Sequence, residues 1–185
     1  LLLLAMPRHA LAYNYLYVNS NTKEPLRWEP GTTIYYYLDP GPYGKFTNEQ
    51  AHTLLKEAMK IWEAVPYANV PHFEFAGYLP EDVNKDNYKK YVGILPCMSE
   101  HMDECDVEAK KNLQTVIIFD EDDYILENYS CRIGSCLAVA NFDVVDGDYF
   151  DYRKILAGFA VFGKDLLRYD TTHVVGTFLH ELGHL

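Results

Sequence analysis

No stretch of this chain stays apolar over the roughly 20 residues that a membrane helix needs, so membrane insertion is not expected. Basic residues are in short supply: 16 Lys and Arg stand against 27 Asp and Glu, a net charge of −11. That deficit argues against nucleic acid, and against an anionic membrane surface, as partners. It is compatible with cation binding, and solubility alone would also explain it. Internal repeats and low-complexity tracts are missing, which sets aside solenoids and compositionally biased tails. An initiator Met is missing too. The chain opens on LLLLAMPRHALAYNY, an apolar run leading to Ala10-Leu11-Ala12, a pattern that signal peptidase cleaves. Residues 1–12 therefore read as the remnant of a signal peptide without its basic n-region, and the protein as secreted. The competing reading is a buried N-terminal strand, against which Pro7, Arg8 and His9 interrupt the run.

Cysteine is sparse as well. Cys97, Cys105, Cys131 and Cys136 allow three disulfide pairings. Sequence-local pairing, 97 with 105 and 131 with 136, is preferred. A rival exists, because Cys97, His101 and Cys105 recur every fourth residue and would share one face of a helix, where they could hold a metal. On a straight helix Cys97 and Cys105 stand about 12 Å apart, too far for a disulfide. An exported chain normally oxidises its thiols, which favours the disulfides.

What is present is ordinary globular material: 185 residues, 49% hydrophobic and 23% charged, enough for one domain with a core. The 16 tyrosines suit β-rich surfaces, where the ring packs and the hydroxyl meets water. Residues 13–25 read as an irregular lead-in. TTIYYYLD (32–39) is rich in β-branched and aromatic residues and predicts a strand. Thr47 and Gln50 form a capping box for a helix over 48–65. Its apolar stripe is Ala51, Leu54, Leu55, Ala58, Ile61, Trp62 and Val65. HFEFAGY (72–78) alternates as a strand does. Residues 79–113 are polar and read as a long surface insertion. TVIIFD (115–120) predicts a central strand, CLAVANF (136–142) a short one, and RKILAGFAVFG (153–163) a further one, although its Leu and Ala leave helix open. Asp170 or Thr171 caps the last helix.

That helix ends the sequence on His180, Glu181, Leu182, Gly183, His184 and Leu185. H-E-x-x-H sets two imidazoles one turn apart with a carboxylate beside them. At 100° per residue from Val174, the apolar Val174, Val175, Phe178, Leu182 and Leu185 share one side. His180 and His184 fall at about 240° and 280°, on the opposite side, with Glu181 between that face and the core edge. Gly176 and Gly183 fall together, and glycine is costly in a helix unless something packs closely there. Neutral imidazoles at i and i+4 can share one Zn²⁺, which acidifies a bound water, and a neighbouring carboxylate takes the proton. The expected roles are His180 and His184 as ligands and Glu181 as general base. His173 lies on the same face but about 10 Å from His180 along the axis, so it reads as a capping or solvated histidine.

The segment VVGTFLHELGHL resembles the opening of the signature H-E-x-x-H-x-x-G-x-x-H of the metzincin metallopeptidases, in particular the matrixin-like group. LRWEPGTTIYYYLD is similar to their first strand, AMKIWEAVPYANVPHFEF to their long helix and following strand, and CLAVANF to their edge strand. The resemblance implies an α/β (α+β) zincin-like fold, a twisted mixed sheet of about five strands with a long helix and an active-site helix. It implies a secreted zinc-dependent endopeptidase with protein or peptide substrates. Leu137, Ala138, Val139 and Ala140 would lie on the edge strand that pairs with substrate. The third histidine would fall six residues after His184, so residues 26–185 are expected to be the N-terminal part of a catalytic domain whose C-terminal subdomain is missing. The fragment itself is then expected to be inactive. Two alternatives stand beside this: a thermolysin-like enzyme with a distant Glu as third ligand, and a non-catalytic secreted binding module that keeps the fold.

A Ca²⁺ ion is a further cofactor expectation. Asp120-Glu121-Asp122-Asp123 and Asp143/Asp146/Asp148/Asp151 are acidic clusters next to strands, and carboxylates with turn carbonyls are what Ca²⁺ prefers. The 143–151 loop, which holds the turn signal Asp146-Gly147, is the preferred one. Neither cluster has EF-hand spacing, and solvation is the plainer account of both.

Overall fold

The computed structural model describes residues 19, 21–66, 70–92, 112–128, 136–146 and 154–185, with the side chains of 143–146 left aside. Within these, the chain is a mixed α/β structure built on five strands and three α-helices. The strands are β1 (Thr33–Leu38), β2 (His72–Tyr78), β3 (Thr115–Asp120), β4 (Ala138–Asp146) and β5 (Lys154–Gly163). The helices are α1 (Asn48–Glu63), α2 (Tyr124–Asn128) and α3 (Thr171–Leu182). Short 3-10 turns cover Tyr88–Lys90 and Lys164–Arg168. No helix among the described residues is long and apolar enough to cross a membrane.

The sheet runs in the order β2-β1-β3-β5-β4. β1, β2, β3 and β5 are mutually parallel, and β4 lies antiparallel to β5 at one edge. β3 is buried along its whole length, as an apolar run between two parallel neighbours should be. Of the 153–163 segment, the described residues Lys154–Gly163 are strand, not helix. Its Leu and Ala content loses to the pairing that β3 and β4 offer on its two sides.

Both long helices lie on one face of the sheet. Ala51, Leu55, Ala58 and Met59 of α1 share a core with Val174, Phe178 and Leu182 of α3 and with Ile34, Tyr36, Ile117, Phe119 and Phe162 of the strands. The expected stripe on α1 is partly corrected. Ile61 and Val65 are exposed, while His52 and Met59 are buried. The helix stops at Glu63, so Val65 is not on it, and the buried face centres between Ala51 and Leu55, which leaves Ile61 on its margin. Thr47 does form the capping box, its hydroxyl accepting the Gln50 N–H while the Gln50 side chain accepts the Thr47 N–H.

The opposite face is covered by residues that looked like surface insertion. Leu79, Val83, Tyr88, Tyr91 and Val92 pack with Val116, Ile118, Phe159 and Val161 of the sheet and Ile125 and Leu126 of α2. Spaced irregularly among Lys, Asn and Asp, these apolar residues give no periodic signal. One carboxylate fastens this layer. Asp39, fully buried, accepts the N–H groups of Gly41 (3.1 Å), Val83 (3.2 Å) and Phe119 (3.3 Å). Residues 93–111 lie outside the described residues.

Tyr35, Tyr78, Tyr124 and Tyr169 are exposed as expected, while Tyr36 and Tyr43 depart from the expectation and are wholly inside. Their hydroxyls find protein partners instead of water: His52 Nε2 at 2.8 Å and the Gly163 carbonyl at 2.7 Å.

Candidate metal centre

α3 begins on Asp170, whose carboxylate accepts the His173 N–H, and its core side buries Val174, Phe178 and Leu182 as the sequence pattern requires. Burying that side turns His180 outward. His180 is exposed and His184 half-buried. Their Nε2 atoms face each other at 3.2 Å with the ring planes nearly perpendicular, at 88°. Two nitrogens bound to one tetrahedral ion at about 2.0–2.1 Å would stand about 3.3 Å apart, so the separation of this pair matches that of two ligands of one zinc ion. Burial, followed by the proximity of His180, pushes the His184 pKa down, which favours the neutral imidazole that a metal requires. No group of three or more His, Cys, Asp or Glu arranged to hold an ion is found among the described residues.

Glu181 sits beside the pair and points into the protein, only 7% exposed. Burial raises its carboxyl pKa to about 7, opposed by a hydrogen bond from the backbone N–H of Ala140. That amide belongs to β4. The edge strand and the candidate base therefore meet at Ala140.

Ala138, Val139 and Ala140 lie on β4 opposite Phe162, Val161 and Ala160 of β5, and β4 ends the sheet. Leu137 precedes the strand, and its carbonyl accepts the Gly163 N–H at 2.9 Å, so it already has a partner within the fold.

α1 is tied to α3 by a contact that the sequence pattern did not identify. The indole N–H of Trp62 donates to the Leu179 carbonyl at 2.5 Å, one residue before His180. The sequence marked Trp62 only as part of an apolar stripe. Gly176 corrects a second expectation. A Cβ built there would meet nothing within 4 Å, so no close packing explains that glycine. Gly183 is the C-cap, and its N–H bonds back to the His180 and Leu179 carbonyls.

His173 behaves as a capping, exposed histidine, with Nδ1 at 3.0 Å from Asp170 Oδ1. In the first acidic cluster, Asp120 accepts the Leu126 N–H (3.0 Å), Asp122 accepts the Tyr124 N–H (3.2 Å) and Asp123 accepts the Lys164 N–H (2.6 Å). Those carboxylates are engaged by backbone at strand and helix ends. The second cluster's side chains lie outside the described residues. Cys136 is disulfide-bonded. Its partner, with Cys97, His101, Cys105, Cys131 and the whole of residues 1–18, lies outside them as well.

No family model, curated protein or solved structure matches this chain.

Proposed function

We propose that this chain supplies the zinc-binding helix and substrate strand of a secreted, metzincin-type zinc endopeptidase. The observation that carries the reading is the convergence of the His180 and His184 Nε2 atoms at 3.2 Å beside the buried Glu181 carboxylate. A zinc ion bound there would acidify a coordinated water and polarise the scissile carbonyl. The protein's own groups do the rest. Glu181, buried beside the histidine pair, accepts a proton from the attacking water and delivers it to the departing amine. The edge of β4 accepts an extended peptide by backbone hydrogen bonds and sets it across the histidine pair. Two imidazoles leave a zinc ion under-coordinated, and the metzincin resemblance implies a third histidine to complete the site.

The test uses the full-length protein. It should bind one zinc per chain and cleave peptides, and Glu181→Ala should keep the zinc and abolish cleavage. Undiminished proteolysis in that variant would remove Glu181 from the mechanism. Stoichiometric zinc without any cleavage would favour the binding-module alternative.

A further inference from the structure

Asn128 is the last residue of α2, and the sequence continues from it as Tyr129 and Ser130. Asn-Tyr-Ser is the N-x-S/T pattern that marks an N-glycosylation acceptor in exported chains, provided that the middle residue is not Pro. No other asparagine in the 185 residues has Ser or Thr two places on. Tyr129 and Ser130 lie outside the described residues, and they enter the pattern by residue type alone.

The fold puts the acceptor where a bulky, hydrated group has room to stand. α2 sits on the sheet with Ile125 and Leu126 buried, at 0% and 2% exposure, which leaves Glu127 and Asn128 in solvent. Its core is that of Val116, Ile118, Phe159 and Val161, on the face of the sheet opposite to α1 and α3. A sugar on Asn128 therefore stands across the sheet from His180 and Glu181. The Asn128 Nδ2 donates to the Tyr124 carbonyl at 2.7 Å, one turn back at the exposed surface. Replacing one amide hydrogen by a sugar leaves the second for that bond, and no buried group has to be uncovered.

We propose that Asn128 carries an N-linked glycan. The inference rests on the secretion part of the reading above. The donor is a lipid-linked oligosaccharide. Asn128 Nδ2 bonds to the anomeric carbon of its first sugar. The bond from that carbon to the lipid pyrophosphate breaks, its electron pair stays on the pyrophosphate oxygen, and the amide gives up one proton. The glycan adds a hydrated group beside Tyr124, whose ring is 39% exposed four residues back on the same helix. It adds nothing to the histidine pair, so zinc binding and cleavage do not depend on it.

The experiment expresses the full-length protein in a eukaryotic secretory host, once as it stands and once behind an independent secretory leader. Cellular and secreted fractions are both collected, so a variant that folds poorly is still scored. Peptides that span Asn128 are read by mass spectrometry before and after peptide N-glycosidase, which converts a glycosylated Asn to Asp. The parent should show that conversion at Asn128 and a gel shift on deglycosylation. Asn128→Gln and Ser130→Ala should each remove both signals, and Ser130→Thr should keep them. Asn128→Gln should leave the zinc content unchanged. Unmodified Asn128 in the protein behind the independent leader overturns the proposal, as does a glycan retained in Ser130→Ala. A glycan at Asn128 behind the independent leader alone overturns the secretion reading instead and leaves the acceptor assigned.

Discussion

Replacing Trp62 with Phe removes one hydrogen bond and part of one ring from the joint between α1 and α3. The indole N–H donates to the Leu179 carbonyl at 2.5 Å, and that carbonyl also accepts the Gly183 N–H at 3.2 Å. The carbonyl is thus not orphaned by the change, and the loss is that of an ordinary hydrogen bond, about 1 kcal/mol. The smaller ring adds about 0.5–1 kcal/mol of lost apolar burial. For a protein of this size each kcal/mol moves Tm by about 2–4 °C, so a drop of about 3–8 °C is expected by calorimetry. The functional effect follows from the position. Leu179 is the residue before His180, so, on the zinc reading proposed above, a looser joint lets the two imidazoles drift and should lower zinc affinity by about tenfold in a competitive chelator titration. Ile61→Ala on the exposed side of the same helix is the control, expected within about 0.5 kcal/mol of the parent. A Trp62→Phe protein that melts within a degree of the parent and holds zinc equally well would refute the idea that this hydrogen bond positions α3.

Gly176→Ala should raise stability by about 1 kcal/mol, because the methyl meets nothing and glycine is the poorer helix former; a destabilised variant in urea melts would mean that something does pack there. Asp39→Ala leaves three buried amides without an acceptor and should cost about 3 kcal/mol or more, seen as a lowered denaturation midpoint at constant slope. Asp39 also gives a pH dependence of known sign. Burial is the largest influence on its carboxyl and raises the pKa from 3.8 to about 7, so the folded state holds the proton more tightly than the unfolded chain. Its contribution is complete below about pH 4 and is lost as pH rises through about 7. The stability of the parent relative to Asp39→Asn should therefore fall between pH 5 and pH 8, and a difference that is flat or rising over that range excludes the assignment.

The local elements were legible because their signals are local. The capping box at Thr47 and Gln50, the β-branched runs at 33–38 and 115–120, and the apolar side of the last helix all formed as the sequence pattern predicts. That His180 faces away from the core follows from helical geometry alone; the helix, expected to run to the end of the sequence, stops at Leu182, so the place of His184 past the Gly183 cap and the burial of Glu181 are set by the tertiary structure. Tertiary structure decided what neighbours supply. Residues 79–92 read as polar insertion because Leu79, Val83, Tyr88 and Tyr91 have no periodicity; it is the exposed apolar face of the sheet that gathers them, and the Asp39 carboxylate that holds them there. Trp62 carries the same residue type whether it fills a stripe or bonds to a carbonyl, and only the crossing of α1 and α3 makes it the latter. The 3.2 Å meeting of the two imidazoles and the Ala140 amide at Glu181 are distances between side chains and separate strands, and a linear pattern fixes residue types and spacings but not those distances.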